Sequence, residues 1–377
     1  MRFEEIYGRF ESGRINCEAA AELLGMSVST FYRMRGRYAE QGPQGLADRR
    51  LGKLSARRVP VDEVARVLGL YKTTYPDFTV KHFHEKLPGY GINRSYTWTK
   101  NTLQQAGLTP KAPRRGAHRR KRARRPLAGM LLHQDGSRHE WLAGCVWDLI
   151  VTMDDATNEV YSAFFTEEEG TMSTFRALRE VIAAHGLFGS LYTDRGSHYF
   201  HTPEAGGKVD KANPTQVGRA LAQLGIEHIA AYSPQARGRS ERMFGTLQGR
   251  LPQELRVHGI TSMDEANEFL RRVYIPAHNA RFRVRAQEQG SAFIPWIGHN
   301  LADVLCVQEE RVVGNDNTVR YKHRQLQVPA NRHRQHYVRA RVRVHEYADG
   351  SMAVFHGPRK LAEYDAQGEE KTQEGAA

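Results

Sequence analysis

The stretch from Lys111 to Arg125 holds nine Lys or Arg in fifteen positions and no acid, with Pro110, Pro113 and Pro126 in or beside it. Such a run repels itself and has little apolar surface to bury, so it cannot belong to a core. It divides the 377 residues into folded parts on either side and reads as an extended linker over 111–127. A basic linker can follow a DNA backbone, and Arg119, Arg120, Lys121 and Arg122 are the residues best placed to do so. The bland alternative is a solvated tether. The wider composition argues against it: 55 Lys+Arg against 42 Asp+Glu leave a net charge of +13. Most of those cations are Arg, whose planar guanidinium grips phosphate with two hydrogen bonds.

Before the linker the chain reads as helices. An amphipathic stretch over 3–11, a second helix capped by Asn16, a Gly25-Met26-Ser27 turn and a third helix over 28–41 form a helix-turn-helix domain within 1–55. Phe31, Met34 and Tyr38 fall on one face of the third helix, which leaves Ser29, Tyr32, Arg33 and Arg37 outward as a DNA-reading face. Residues 56–110 read as a second such unit, with helices over 61–71, 79–87 and 95–106. Tyr96, Thr97, Lys100 and Asn101 are its candidate DNA contacts. The competing reading of either unit is a plain helical bundle or spacer.

After the linker the periodicity changes. Apolar, strand-like runs begin at Leu131, cover 144–153 and 159–166, and recur at 190–193 and 228–231, with helices over 171–185 and 214–224. A further helix containing Glu241 ends at Pro252. Three strands joined by tight turns and then alternating helices and strands give the order of a ribonuclease-H-like core, a mixed five-stranded sheet flanked by helices, over 128–297. Residues 303–362 read as a small β-barrel; Val338, Ala340, Val342 and Val344 alternate with Arg339, Arg341 and Arg343, and Asp349-Gly350 marks a hairpin. The polar tail 363–377 reads as disordered.

Three acids stand in separate frames of that core. Asp135 and Asp194 close strand-like runs, and Glu241 lies one turn into a helix, at the border of a stripe formed by Met243, Phe244, Leu247 and Leu251. A packed interior has no use for acids so placed. Mg²⁺ does, because it takes a few carboxylates together with water and substrate phosphate. Two-metal phosphoryl chemistry needs such ligands to converge from separate segments. Gly136 and Gly196 follow the two aspartates and let a phosphate approach the backbone. Arg195, Arg237, Arg239 and Arg242 are candidates for holding phosphate beside the acids. Asp148, within a strand, and Asp154 and Asp155, in a turn where Asp is favoured for local hydrogen bonding, are weaker ligand candidates. Glu167, Glu168 and Glu169 read as a solvated approach to a helix, and His133, His139 and His198 as packing or surface histidines that could position water.

The strand-borne Asp135, the Thr-Asp-Arg-Gly-Ser around Asp194 and the Ser233-Pro-Gln-Ala-Arg-Gly-Arg-Ser-Glu241 run resemble the D-D-E signature of bacterial insertion-sequence transposases with a retroviral-integrase-type core. Within these transposases the chain resembles the loosely classified ISNCY group. The resemblance implies two Mg²⁺ held by Asp135, Asp194 and Glu241, with Mn²⁺ able to substitute. It also implies cleavage that frees a 3′-OH, transfer of that end into target DNA, double-stranded DNA partners and a homo-oligomer on DNA. Two features depart from the pattern. The interval of 46 residues between Asp194 and Glu241 is longer than the family usually has, with the excess in the loop 201–213. Gly245 and Gln248 stand where many integrases carry lysines.

No run reaches the length of an apolar membrane span, and the first residues lack the apolar stretch of a signal peptide, so a cytoplasmic, nucleoid-associated protein is expected. Cys17, Cys145 and Cys306 are isolated and suggest neither a disulfide framework nor a zinc site; His82 and His84, without a Cys pair, read as ordinary helix histidines. Two rival functions remain: a DNA-binding regulator whose core only scaffolds, and a Mg²⁺-dependent nuclease without strand transfer.

Overall fold

The computed structural model describes residues 2–48, 58–111, 123–204, 207–210, 212–232, 238–298, 300–330 and 334–371. Arg119, Arg120, Lys121, Arg122 and Arg237 lie outside the described residues, as do most of the linker and the Ser233–Arg237 stretch. The chain divides into two compact units, Met1–Val67 and Leu68–Ala377.

The first unit contains α1 (Arg2–Glu11), α2 (Cys17–Leu23) and α3 (Val28–Gln41). Asn16 Oδ1 accepts the Ala19 amide at 2.8 Å and Ser27 Oγ accepts the Thr30 amide at 3.2 Å, so both helices start where a side-chain oxygen can replace the missing turn. Phe3, Ile6, Ala20, Ala21 and Phe31 form its core. Ser29, Tyr32 and Arg33 are exposed and Arg37 is half-buried, as the helical period requires. Helix α4 (Val61–Thr73) spans the division between the units.

In the second unit, α5 (Val80–Lys86) and α6 (Tyr96–Gln105) start at the caps Thr79 and Ser95 and pack around Phe83, Leu87 and Leu103. The central sheet follows: β1 (Leu131–Leu142), β2 (Cys145–Asp154), β3 (Val160–Thr166), α7 (Thr171–His185), β4 (Ser190–Thr193), α8 (Gln216–Gln223) and β5 (Glu227–Ala230). Its order is β3-β2-β1-β4-β5, with β1, β2 and β3 antiparallel and β4 and β5 parallel to β1. This is a ribonuclease-H-like core. Leu132, Phe175, Leu178, Val181 and Leu221 fill one face beneath α7 and α8. Leu149, Val151 and Met153 fill the other beneath α9 (Gly238–Gln248), α10 (Leu251–Val257) and α11 (Met263–Phe269).

Two elements differ from the sequence reading. Strand β1 does not stop at Asp135 but runs to Leu142, because fully buried Trp141 anchors its far end and donates Nε1 to Trp147 O at 3.1 Å. The helix carrying Glu241 ends at Gln248, and Pro252 lies in the first turn of α10, where a missing amide hydrogen costs nothing. Beyond α10, α11 and α12 (Ile275–Phe282) were not foreseen.

Those late helices seal the edge of the sheet. Asn267 accepts the Phe165 amide at 2.6 Å and donates to Phe165 O at 3.2 Å; Asn279 does the same to Val160 at 2.9 and 2.8 Å. Twelve helical residues rise about 18 Å and five strand residues about 17 Å, so the two amides meet the strand in step. An edge that would otherwise offer free backbone groups is thereby closed.

The C-terminal part holds β6 (Val307–Val312), β7 (Thr318–Tyr321), β8 (Arg324–Gln327), β9 (Arg341–Glu346), β10 (Met352–His356) and β11 (Arg359–Tyr364). They form an antiparallel sheet in the order β11-β10-β9-β6 and a β7–β8 hairpin around one shared core that includes Val319, Leu326, Val344, Val354 and Tyr364. This is the small β domain expected, though no pairing closes it into a barrel among the described residues. Arg339 takes a left-handed φ of 59°, so the alternating strand starts only at Arg341. Arg341 and Arg343 face outward from it.

Candidate active site

The register of β1 and β4 sets the two aspartates. Leu131, Leu132 and His133 lie beside Ser190, Leu191 and Tyr192 in parallel pairing. Carried two residues further, the same register places Asp135 beside Asp194, which stands just past the end of β4. Asp135 is buried in the middle of its strand. Asp194 Oδ1 accepts the Gly196 amide at 2.8 Å, which folds Thr-Asp-Arg-Gly-Ser into a tight turn under the carboxylate. A Cβ on Gly196 would crowd that oxygen at 3.1 Å and the His198 ring at 3.2 Å, so glycine keeps the turn open.

Glu241 comes from the first turn of α9 and is exposed, while Met243, Phe244 and Leu247 are buried as the period predicts. The far end of α9 is fixed on β1: Gln248 Nε2 donates to Ser137 Oγ at 2.9 Å. Ser137 and Asp135 share a face of the strand, and Glu241 precedes Gln248 by two turns on the same side of the helix. The paired strands thus point the two aspartates toward the same end of the sheet, and the Glu241 helix is tied to the strand that carries Asp135. Among the described residues, no three His, Cys, Asp or Glu stand close enough together to hold a metal ion.

A fourth acid borders the site. Gly136 faces away from the Asp135 side, and a Cβ there would overlap a carboxylate oxygen of Glu169. Tyr199 donates to Glu169 Oε1 at 3.2 Å, and His198 Nε2 lies 3.6 Å from the same oxygen. The Glu169 amide is held by Asp148 Oδ2 at 2.8 Å. Glu169 is thus packed against the site rather than solvated, and only the glycine after Asp135 hinted at the approach.

The other acids have structural partners. Asp154 accepts the Gly129 amide at 2.9 Å and the Thr157 amide at 2.7 Å. Asp155 is fully buried and accepts from His133 Nε2 at 2.8 Å, from the Arg125 amide at 2.7 Å, and from Arg239. Burial would raise its carboxyl, but these donors outweigh burial and hold it well below the usual carboxylate range.

The candidate DNA contacts are scattered. Arg195 donates to Gly207 O at 2.8 Å and stacks 5.1 Å over the Tyr232 ring. Arg239 is paired with Asp155 and donates to Ala123 O at 3.1 Å. Arg242 is exposed on α9. Tyr96 is exposed on α6 with Lys81 5.2 Å over its ring, and Lys100 is half-buried on the same helix. Arg339 and Arg341 are exposed in the C-terminal part.

His82 is not a surface histidine. It donates Nε2 to Glu254 of α10 at 2.6 Å, and Lys86 reaches the same carboxylate at 2.7 Å. Glu85 of α5 accepts both Arg250, at 2.6 and 3.1 Å, and Arg281, at 2.5 Å. These pairs clamp α5 to the helices of the core.

A family model described as a helix-turn-helix domain matches residues 9–55. Over 355 residues the chain is 31% identical to "Putative transposase y4bF" of Sinorhizobium fredii, an alignment covering 93% of this chain and 77% of that protein. It is 32% identical over 204 residues to "Transposase for insertion sequence IS1202" of Streptococcus pneumoniae, covering 54% of this chain and 43% of that protein. Among solved structures it is similar to a simian T-cell lymphotropic virus intasome, at a TM-score of 0.36 and 15% identity over 76% of this chain and 93% of that one. It is also similar to the HTLV-2 integrase catalytic core, at a TM-score of 0.30 and 18% identity over 38% of this chain and 82% of that one.

Proposed function

This chain belongs to the transposase family, and we propose that it cuts DNA at the ends of an insertion sequence and joins them to target DNA, with Asp135, Asp194 and Glu241 as its catalytic acids. The observation that supports the reading is the β1–β4 register, paired through His133 and Tyr192, which continued by two residues would set Asp135 beside Asp194, with the Glu241 helix tied to β1 through Gln248. The donor set fits Mg²⁺, a hard ion satisfied by one or two carboxylates when water and substrate phosphate supply the remaining oxygens. Asp135, Asp194 and Glu241 would hold the ions, and a bound pair of Mg²⁺, or Mn²⁺ in their place, would supply activation of the attacking oxygen and charge neutralisation on the leaving one.

In the first step a water oxygen bonds to phosphorus at the element end and the bond to the 3′ oxygen breaks, leaving a 3′-OH on the element. In the second, that hydroxyl attacks a target phosphate and displaces the target's own 3′ oxygen. The tight turn at Gly196 keeps the Asp194 carboxylate aimed at one place, and the absence of a side chain at Gly136 leaves room for the Glu169 carboxylate behind the Asp135 strand. The helices of 1–55 and 56–110 read the end sequence, while the linker 111–127 and the β part over 303–362 track its backbone. Ser29, Tyr32, Arg33, Arg37, Tyr96 and Lys100 face that DNA. Two ends must meet, so the working form is a homo-oligomer on nucleoid DNA in the cytoplasm. No described helix is long and apolar enough to cross a membrane.

The test is to incubate the purified chain and Mg²⁺ with duplexes carrying candidate ends and a target plasmid, and to score nicking and joining. Joining that disappears in Asp194→Asn supports transposition. Cleavage without joining favours a nuclease, and binding alone a regulator.

A further inference from the structure

Asp155 lies in the turn after β2, outside the proposed acid triad, yet its carboxylate meets three segments at once. His133, which donates to Oδ1 at 2.8 Å, is two residues before Asp135 on the same strand face. Arg239, ion-paired to the same oxygen, is two residues before Glu241 at the start of α9. The Arg125 amide, which donates to Oδ2 at 2.7 Å, belongs to the chain emerging from the basic run. The backbone of the turn is gripped as well: Asp155 N donates to Leu131 O at 3.0 Å, and Arg124 Nη1 donates to Asp155 O at 2.8 Å and to Asn158 Oδ1 at 2.7 Å.

Both His133 and Asp155 are almost fully buried, so the anchor on the β1 side is rigid. Arg239 is mostly buried and also donates to Ala123 O at 3.1 Å, which fixes its guanidinium between the turn and the incoming linker. The leading amides of a helix have no partners within it, so its first turn is held less firmly than the turns that follow. The Arg239 side chain is one tie on the first turn of α9, beside the buried Ser240, while Gln248 and Ser137 hold the other end.

We infer that Asp155 is a positioning residue: through Arg239 it holds the start of the Glu241 helix against the strand that carries Asp135, and so sets the third acid relative to the first. The inference rests on the proposed role of Asp135, Asp194 and Glu241. Groups that orient metal ligands from behind typically change metal affinity about 10- to 100-fold when removed. A fold-stabilising role would lower stability without caring whether position 241 carries a carboxylate.

A double-mutant cycle separates these cases. Mn²⁺ binding to the full-length chain without DNA is measured by the spin-resonance signal of free Mn²⁺ for wild type, Asp155→Asn, Glu241→Gln and the double variant, at a temperature where melting curves show all four folded. Arg239→Gln, which cuts the same tie from the helix side, replaces Asp155→Asn if that variant does not fold. Positioning is supported if Asp155→Asn weakens Mn²⁺ binding about 10-fold in the wild-type background and less than about twofold when Glu241 is already Gln. Equal losses in both backgrounds, or a lower melting temperature with unchanged Mn²⁺ affinity, overturn the inference while leaving the acid triad intact. If Glu241→Gln itself leaves Mn²⁺ binding unchanged, the triad reading fails and the role of Asp155 falls with it.

Discussion

Replacing Glu254 with Gln should release α5 from the catalytic core without melting the core. The side chain of Glu254 is 9% exposed and takes hydrogen bonds from His82 at 2.6 Å and Lys86 at 2.7 Å. Burial alone would raise its carboxyl, but the two donors outweigh burial and hold it at about 2, against an ordinary 4.5. At about 1.4 kcal/mol per unit that difference is about 3 kcal/mol, and since Lys86 still touches water, screening leaves about 2. Because the folded value is the lower one, this contribution is complete above pH 4.5 and fades as pH falls toward 2. The loss falls on the docking of residues 80–86, so native-state hydrogen exchange is the suitable assay. The Phe83 amide, bonded to Thr79 O at 2.9 Å, should exchange about 30-fold faster in Glu254→Gln, while Leu149 in the central sheet keeps its protection. A change at Phe83 below about threefold, or equal acceleration at Leu149, would refute the clamp.

Asn267→Ala and Asn279→Ala each remove two hydrogen bonds to the β3 edge and strand a backbone amide, so each should cost about 2 kcal/mol in urea unfolding, and near-neutral variants would show that water replaces the amides freely. Gly136→Ala should displace the Glu169 carboxylate and lower end cleavage at least about 10-fold, and Glu169→Ala in the same chain should restore part of it; a loss that Glu169→Ala does not relieve would place the clash elsewhere. Burial pushes His228, His278 and His345 down to about 4, so the unfolded chain takes up protons first as pH drops below about 6.5. Each should withdraw on the order of 3 kcal/mol by pH 4, and a urea midpoint that stays level from pH 7 to 5 would contradict their buried, neutral state.

What could be read from sequence is what depends on neighbours along the chain. The caps Asn16, Thr79 and Ser95 are local chemistry, and each starts its helix where the sequence begins one, while Ser27, read only as part of a turn, caps the third helix. The buried stripe of α9 follows from helical spacing, and β4 from a short apolar run before a turn. The strand order could be argued because tight turns force the first three strands into a meander. Residues whose meaning lies across the fold were misread or passed over. Glu169 and Asp155 had local explanations, a helix approach and a turn, that hid their tertiary partners. Asn267 and Asn279 are polar residues on helices that no periodicity singles out, since their role is to finish a strand more than a hundred residues away in sequence.

The same distinction divides the three acids. Asp135 and Asp194 follow directly on the paired stretches of β1 and β4, where a slip of one residue would turn each side chain to the opposite face, so their placement tolerates little variation. Glu241 is set by side chains at the two ends of α9, Arg239 on Asp155 and Gln248 on Ser137. Cutting either tie should therefore disturb the third acid and leave the first two in register. The long interval before Glu241 is compatible with this arrangement, because neither tie uses the chain between Asp194 and α9.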